Sequence, residues 1–150
     1  MKLFFENAEK LTSAIELIKG DLRFDIASDA EQADIAVSVS ETDKNVVKVC
    51  LKDGKASVVY GGGKTRFLRA LTLIMQAVKE GKTSFEKEET PLFITNGAML
   101  DCSRNAVMKV EWVKFFLRKM ALMGMNALML YTEDPYEVEE RPYFGYMRGR

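Results

Sequence analysis

The sequence predicts a small α+β domain over residues 1–90, an antiparallel sheet with two helices, followed over residues 91–150 by the first strand–helix–strand of a truncated (β/α)8 barrel. Three observations lead there. Two stretches of helical periodicity flank a series of short alternating runs. A charged stretch, Lys82–Thr90, then interrupts the pattern. From Pro91 onward the order changes to strand, helix, strand.

Each element has its own reason. Leu11, Ala14, Ile15 and Ile18 recur at helical spacing within Ala8 to Lys19, and Gly20 follows as a stop. Leu22–Ile26 and Val46–Leu51 alternate apolar and polar residues as half-buried strands do, and Ile35–Val39 alternates less cleanly. Asp53-Gly54 is a two-residue hairpin turn leading into Ala56–Tyr60. Lys64 to Lys79 carries Phe67, Leu68, Leu71, Ile74, Met75 and Val78 on one helical face, with Gly81 beyond its end. Leu92–Leu100 and Ala127–Tyr131 read as strands on either side of a helix over Lys109–Met123. That helix has one narrow polar stripe, Glu111, Lys114 and Arg118, so it is expected to be buried on most sides. A strand–helix–strand of this length is a parallel unit, and parallel strands need both faces covered. Two strands and one helix cannot do this. The natural protein is therefore expected to continue, since a (β/α)8 barrel takes about 250 residues.

Composition narrows the function. Hydrophobic residues make up 47% and charged residues 29%, a globular balance. Lys+Arg and Asp+Glu both number 22, so no excess of positive charge calls for nucleic acid or an anionic membrane. The N-terminal apolar run Leu3-Phe4-Phe5 breaks at Glu6, short of a signal-peptide core, and a cytoplasmic protein with reduced Cys50 and Cys102 is expected. There is no histidine, which removes Ser-His-Asp and Cys-His catalysis and most zinc sites. No metal and no cofactor is expected.

Four features could carry chemistry. Gly61-Gly62-Gly63-Lys64-Thr65 precedes a helix like a phosphate loop, but Val58 stands where that motif needs its first glycine. A strand-to-helix turn is the better reading. Leu100-Asp101-Cys102-Ser103-Arg104-Asn105 follows a strand, at the end where barrel enzymes build their sites. There Arg104 offers a fork of donors for sugar hydroxyls, or Asp101 and Arg104 cap the turn. Tyr131-Thr132-Glu133-Asp134 ends the next strand, and its carboxylates suit acid–base or metal chemistry, or cap a loop. Seven of nine methionines lie between Met99 and Met147, which reads as core filling, as does Trp112.

Taken together, Thr95-Asn96-Gly97 to Asn105, the helix from Lys109, Gly124-Met125-Asn126 to Asp134, and Pro142-Tyr143-Phe144-Gly145-Tyr146 resemble glycoside hydrolase family 20. More narrowly, they are similar to its bacterial exo-β-N-acetylglucosaminidases without a secretion signal. That family opens its barrel with a glycine-led strand ending in Leu-Asp-x-x-Arg, then a helix and Met-Asn before the second strand. It carries a small α+β domain ahead of the barrel, whose second helix Tyr60–Ala77 resembles. The resemblance implies that Arg104 binds hydroxyls of the terminal sugar and that Asp101 shapes the strand end. Glu133 and Asp134 resemble the acidic pair after the second strand, although this loop departs from the family's common His-rich form. The implied partner is an amino-sugar-containing oligosaccharide or glycoconjugate. The family's catalytic Asp-Glu pair is absent, because the sequence has no Asp-Glu dipeptide. A non-catalytic α+β binding or interaction module is the alternative reading.

Overall fold

Alternating strands and two amphipathic helices assemble the first 89 residues around one sheet. The computed structural model of the chain describes residues 1–103, 107–132 and 140. The order is β1 (Lys2–Glu6), a 3₁₀ turn (Glu9–Leu11), α1 (Thr12–Leu22), β2 (Asp25–Ile26), β3 (Ile35–Glu41), β4 (Val47–Lys52), β5 (Lys55–Tyr60), α2 (Lys64–Lys79) and β6 (Ser84–Glu89). The six strands form one sheet in the order β2-β1-β3-β5-β4-β6. Asp53 and Gly54 both take positive φ, 47° and 77°, as a two-residue turn between β4 and β5 requires.

The sheet is mixed, which corrects the antiparallel expectation. Strand β1 runs parallel to β2 and β3, and β3 runs parallel to β5; only β4 pairs antiparallel, with β5 and β6. The error has two sources: alternation does not reveal β1, and β5 rather than β4 lies beside β3. Leu3-Phe4-Phe5 belongs to β1, and the charged stretch 82–90 contains β6, whose alternate residues face solvent at the sheet edge. With β1 in place, β1–α1–β3 is a crossover between parallel neighbours. Gly20 does not end α1 either. The helix runs on to Leu22, and Arg23 supplies the left-handed cap at φ 61°. The strand expected over 22–26 is reduced to Asp25–Ile26.

One face of the sheet is buried under α1 and α2. Val37, Val47, Val49 and Val58 are fully buried there against Phe67, Leu71 and Ile74 of α2. Phe67 is the centre, with Tyr60 and Phe5 rings 5.6 and 6.4 Å away. The other face is polar, and Lys48 pairs with Glu88 across it at 2.9 Å.

A second, two-stranded parallel sheet pairs β7 (Gly97–Asp101) with β8 (Ala127–Tyr131). Helix α3 (Val110–Leu122) connects them. Strand β7 starts five residues later than the expected Leu92, because side chains hold the preceding backbone instead of a neighbouring strand. Asn45 Nδ2 donates to Pro91 O at 3.2 Å, Arg66 Nη2 to Phe93 O at 3.2 Å, and Asn126 Nδ2 to Ile94 O at 2.7 Å. Helix α3 is not buried on most sides. Only Met120 and Leu122 are buried, and Trp112 is 56% exposed, stacked edge-on against Phe115. Among the described residues, nothing covers that side of the helix.

Helix α2 joins the two sheets. Arg66, 5% exposed, donates from Nη1 to Gly124 O at 2.8 Å. Thr72 Oγ1 lies 3.0 Å from Leu122 O. Asp21 at the end of α1 accepts from Arg118 Nε and Lys119 Nζ of α3, both at 2.8 Å. Burial alone would raise the Asp21 carboxyl, but the bonds from Lys119 and Arg118 and their charges outweigh it and hold it below its usual value. A carboxylate with a lowered pKa stabilises the fold above its unfolded value, and the contribution is lost as pH falls through the folded value. Asp21→Asn should therefore destabilise the docking of α3 by about 1 kcal/mol at pH 7, after discounting for solvent around Arg118 and Lys119. The difference from wild type should vanish below the folded pKa of Asp21. Denaturation followed through Trp112, the single tryptophan, measures both points. A difference that persists in acid would reject this account.

Candidate functional site

The two parallel strands end level with one another. The register places Gly97 beside Ala127, Met99 beside Met129 and Asp101 beside Tyr131. The pairing continues one step further, with Cys102 N donating to Tyr131 O at 2.7 Å. Side chains alternate between faces along a strand, so Met99, Asp101, Met129 and Tyr131 share one face of this sheet, and all four are exposed. Ala98, Leu100 and Leu128, on the other face, are half-buried.

Asp101 organises the turn that leaves β7. Its Oδ1 accepts from Ser103 N at 2.8 Å and from the Ser103 hydroxyl. This is the side-chain-to-backbone turn that Asp favours. The structure thus brings Asp101, Cys102 and Ser103 beside Tyr131 and Thr132. On the Asp101 face this gives a carboxylate and the hydroxyls of Ser103 and Tyr131, which suit a hydroxyl-rich ligand by hydrogen bonding. Arg104, Glu133 and Asp134, the other expected site residues, lie outside the described residues, as does the segment Pro142–Tyr146. Tyr131 joins the group through register, which sequence spacing does not give.

The remaining candidates resolve into structure. At Gly61 a Cβ would lie 2.1 Å from Lys44 O and 2.3 Å from Thr42 O, so the glycine permits close backbone approach where β5 leaves the sheet. That accounts for the glycine run as a strand-to-helix turn. Met120 is buried, whereas Met99, Met123 and Met129 are more than half exposed, so core filling holds for only some of the methionines. Cys50 is a free thiol on the polar face of the large sheet. No group of three or more His, Cys, Asp or Glu among the described residues could hold a metal ion. No helix among them is long and apolar enough to cross a membrane. Hollows of about 200 Å³ beside Phe4, Thr12 and Ile26, and about 600 Å³ beside Asp21, Arg23 and Met75, both lie away from the strand ends.

The turn at Asp101 makes a local prediction. Asp101→Ala removes the acceptor for two donors and should speed exchange of the Ser103 amide by roughly tenfold, the worth of a hydrogen bond of about 1 kcal/mol or more. Asp101→Asn keeps a side-chain oxygen and should retain most of the protection. Amide exchange by NMR reads this directly, and unchanged protection in Asp101→Ala would reject the turn role.

No protein-family model and no curated protein sequence matches the chain. Solved structures do match it in fold. A GH20 exo-β-N-acetylglucosaminidase from Vibrio harveyi, in complex with N-acetylglucosamine, aligns over 97% of this chain with a TM-score of 0.66 and 19% identity. A β-N-acetylhexosaminidase from Bacteroides fragilis aligns over 87% with a TM-score of 0.56 and 14% identity. A GH138 enzyme targeting pectin rhamnogalacturonan II aligns over 95% with a TM-score of 0.59 and 14% identity. The chain spans 24%, 28% and 26% of those structures, about a quarter of each. At such identities the likeness is one of fold.

Proposed function

We propose that this chain is the N-terminal part of an exo-acting β-N-acetylhexosaminidase of glycoside hydrolase family 20. The observation that carries this reading is the alignment of 97% of the chain, both sheets together, with 24% of a GH20 exo-β-N-acetylglucosaminidase. The pattern of Gly97, Leu100-Asp101, Arg104 and Met125-Asn126 supports it independently. In this reading residues 1–90 form the small domain ahead of the barrel, and residues 91–150 open the barrel. The substrate is a terminal β-linked N-acetylglucosamine or N-acetylgalactosamine on an oligosaccharide or glycoconjugate.

The chemistry follows from that substrate. Family 20 uses the substrate's own 2-acetamido oxygen as nucleophile, so the reaction retains configuration without a protein nucleophile. An Asp orients that group and a Glu protonates the leaving oxygen. Neither role falls to this chain, which has no Asp-Glu dipeptide. Its share is the sugar-binding wall: Arg104 donating to hydroxyls of the terminal sugar, Asp101 holding the strand end, and Glu133 and Asp134 on the neighbouring loop. The GH138 neighbour shows that the same fold serves a hydrolase of another family, so the substrate rests on the site residues rather than on the fold.

Two measurements test the proposal. The 150-residue chain should not turn over an aryl β-N-acetylglucosaminide; turnover above background would overturn the division of labour. In a longer hydrolase containing this sequence, Arg104→Ala should lower kcat/KM by roughly tenfold to a hundredfold or more, since a charged donor to a buried hydroxyl is worth about 1.5–3 kcal/mol. Arg104→Lys should recover little, because one ammonium cannot reproduce the guanidinium fork. Normal kinetics with a lowered Tm would instead make Arg104 a turn cap.

A further inference from the structure

The hydrophobic pattern of the small sheet does not fix its own register. In a strand with one apolar and one polar face, a slip by one residue turns the apolar set to solvent, and that penalty holds the pairing. Strand β7 reads Gly-Ala-Met-Leu-Asp and β8 reads Ala-Leu-Met-Leu-Tyr. Met99 and Met129 lie on one face, and Leu100 and Leu128 on the other. Both faces are apolar, so a slip costs little through burial. Asp101 nevertheless has to lie beside Tyr131 for the strand ends to form one site.

Polar geometry at the opposite end supplies what burial does not. Asn126, just before β8, makes three bonds to the chain leading into β7. Its backbone N donates to Asn96 O at 2.8 Å, its Nδ2 donates to Ile94 O at 2.7 Å, and its Oδ1 accepts from Asn96 N at 2.9 Å. The side-chain amide acts as an extra strand residue, with one donor and one acceptor matched to backbone groups two residues apart. A one-residue slip would break both side-chain bonds together. The next pair adds a steric restriction: a Cβ at position 97 would lie 1.9 Å from Ala127 O, so only a glycine fits where the two backbones touch, and a slip would bring Asn96 or Ala98, each with a Cβ, to that place. The site is about 13 Å further along, at the strand rise of about 3.3 Å per residue over the steps from Gly97 to Asp101.

We propose that Asn126, seated by Gly97, is a positioning residue that sets the register of β7 and β8 and thereby places Asp101 beside Tyr131 at the strand ends. Its consequence for sugar binding rests on the hexosaminidase reading; the register itself does not. Amide exchange of the chain tests it without any sugar. In Asn126→Ala the Cys102 amide, which bonds Tyr131 O in this register, should exchange roughly tenfold or more faster, as expected for losing two hydrogen bonds of about 1 kcal/mol each. Amides of β4 and β5 should be unchanged. Asn126→Asp keeps the acceptor and loses the donor, and should fall between. Thr72→Val removes a hydroxyl contact to Leu122 O at the same junction and should leave Cys102 near wild type. A through-bond Cys102–Tyr131 correlation that disappears in Asn126→Ala and survives in Thr72→Val gives the same answer. Undiminished Cys102 protection in Asn126→Ala would overturn the proposal. So would equal losses in Asn126→Ala and Thr72→Val, because Asn126 would then add stability without setting register.

Discussion

Arg66 is a guanidinium taken out of water and spent on carbonyl oxygens. It sits in the first turn of α2, faces away from the sheet, and donates to Gly124 O and Phe93 O. These carbonyls precede β8 and β7, so one side chain ties both strands of the small sheet to the helix that covers the large one. Gly124 also follows the C-terminus of α3, where unpaired carbonyls concentrate negative potential that favours a cation. Nearby, Glu89 is held below its usual pKa mainly by its bonds from Arg69, with a smaller contribution from Arg66. Two of its three nitrogens, Nη1 and Nη2, have fixed carbonyl acceptors, while Nε is buried without a partner among the described residues; shortening the side chain would strand two carbonyls as well as lose the cation.

That arrangement separates two tasks. The large sheet is filled around Phe67, and α3 adds Leu122 to the same apolar core. The small sheet brings polar groups to its C-terminal edge but exposes Met99, Met129, Leu130 and Tyr131. Ion pairs at Asp21 and amide bonds at Asn126 add to the burial of Met120 and Leu122 in holding the second unit. The likeness in fold to GH20 and GH138 enzymes covers both units together.

Sequence periodicity was informative where partners are local. Helix α2 runs over the residues its apolar face predicts, Lys64–Lys79, and β3, β4 and β5 follow their alternation through the Asp53-Gly54 turn. It failed where pairing is distant. Strand β1 is short and terminal, β6 is an edge strand rich in charge, and neither carries the alternation of a half-buried strand. Without β1, and with β5 rather than β4 beside β3, the parallel neighbours could not be seen and the sheet read as antiparallel. Part of the site was visible: Asp101 stands at a strand end, as its position before Cys102-Ser103 implied. Its proximity to Tyr131 is a matter of register, and the amide of Asn126 that holds it looks in sequence like any residue of a loop. Arg104, Glu133 and Asp134 lie outside the described residues, so the sequence is the sole ground for their roles.

The large sheet is also complete early. All six strands, both edges included, lie within the first 89 residues, although their spatial order interleaves β5 between β3 and β4. A ribosome emits a chain from its N-terminus at about 5–20 residues per second, and domains fold as units when they emerge. The strands of this unit can pair once Glu89 has emerged, while the partners of Arg66 and Asp21, and the core residue Leu122, are still to come. Helix α3 and the small sheet then arrive at a template. The apolar strands β7 and β8 meet a folded partner while still being made, which shortens the interval in which they could pair with another chain.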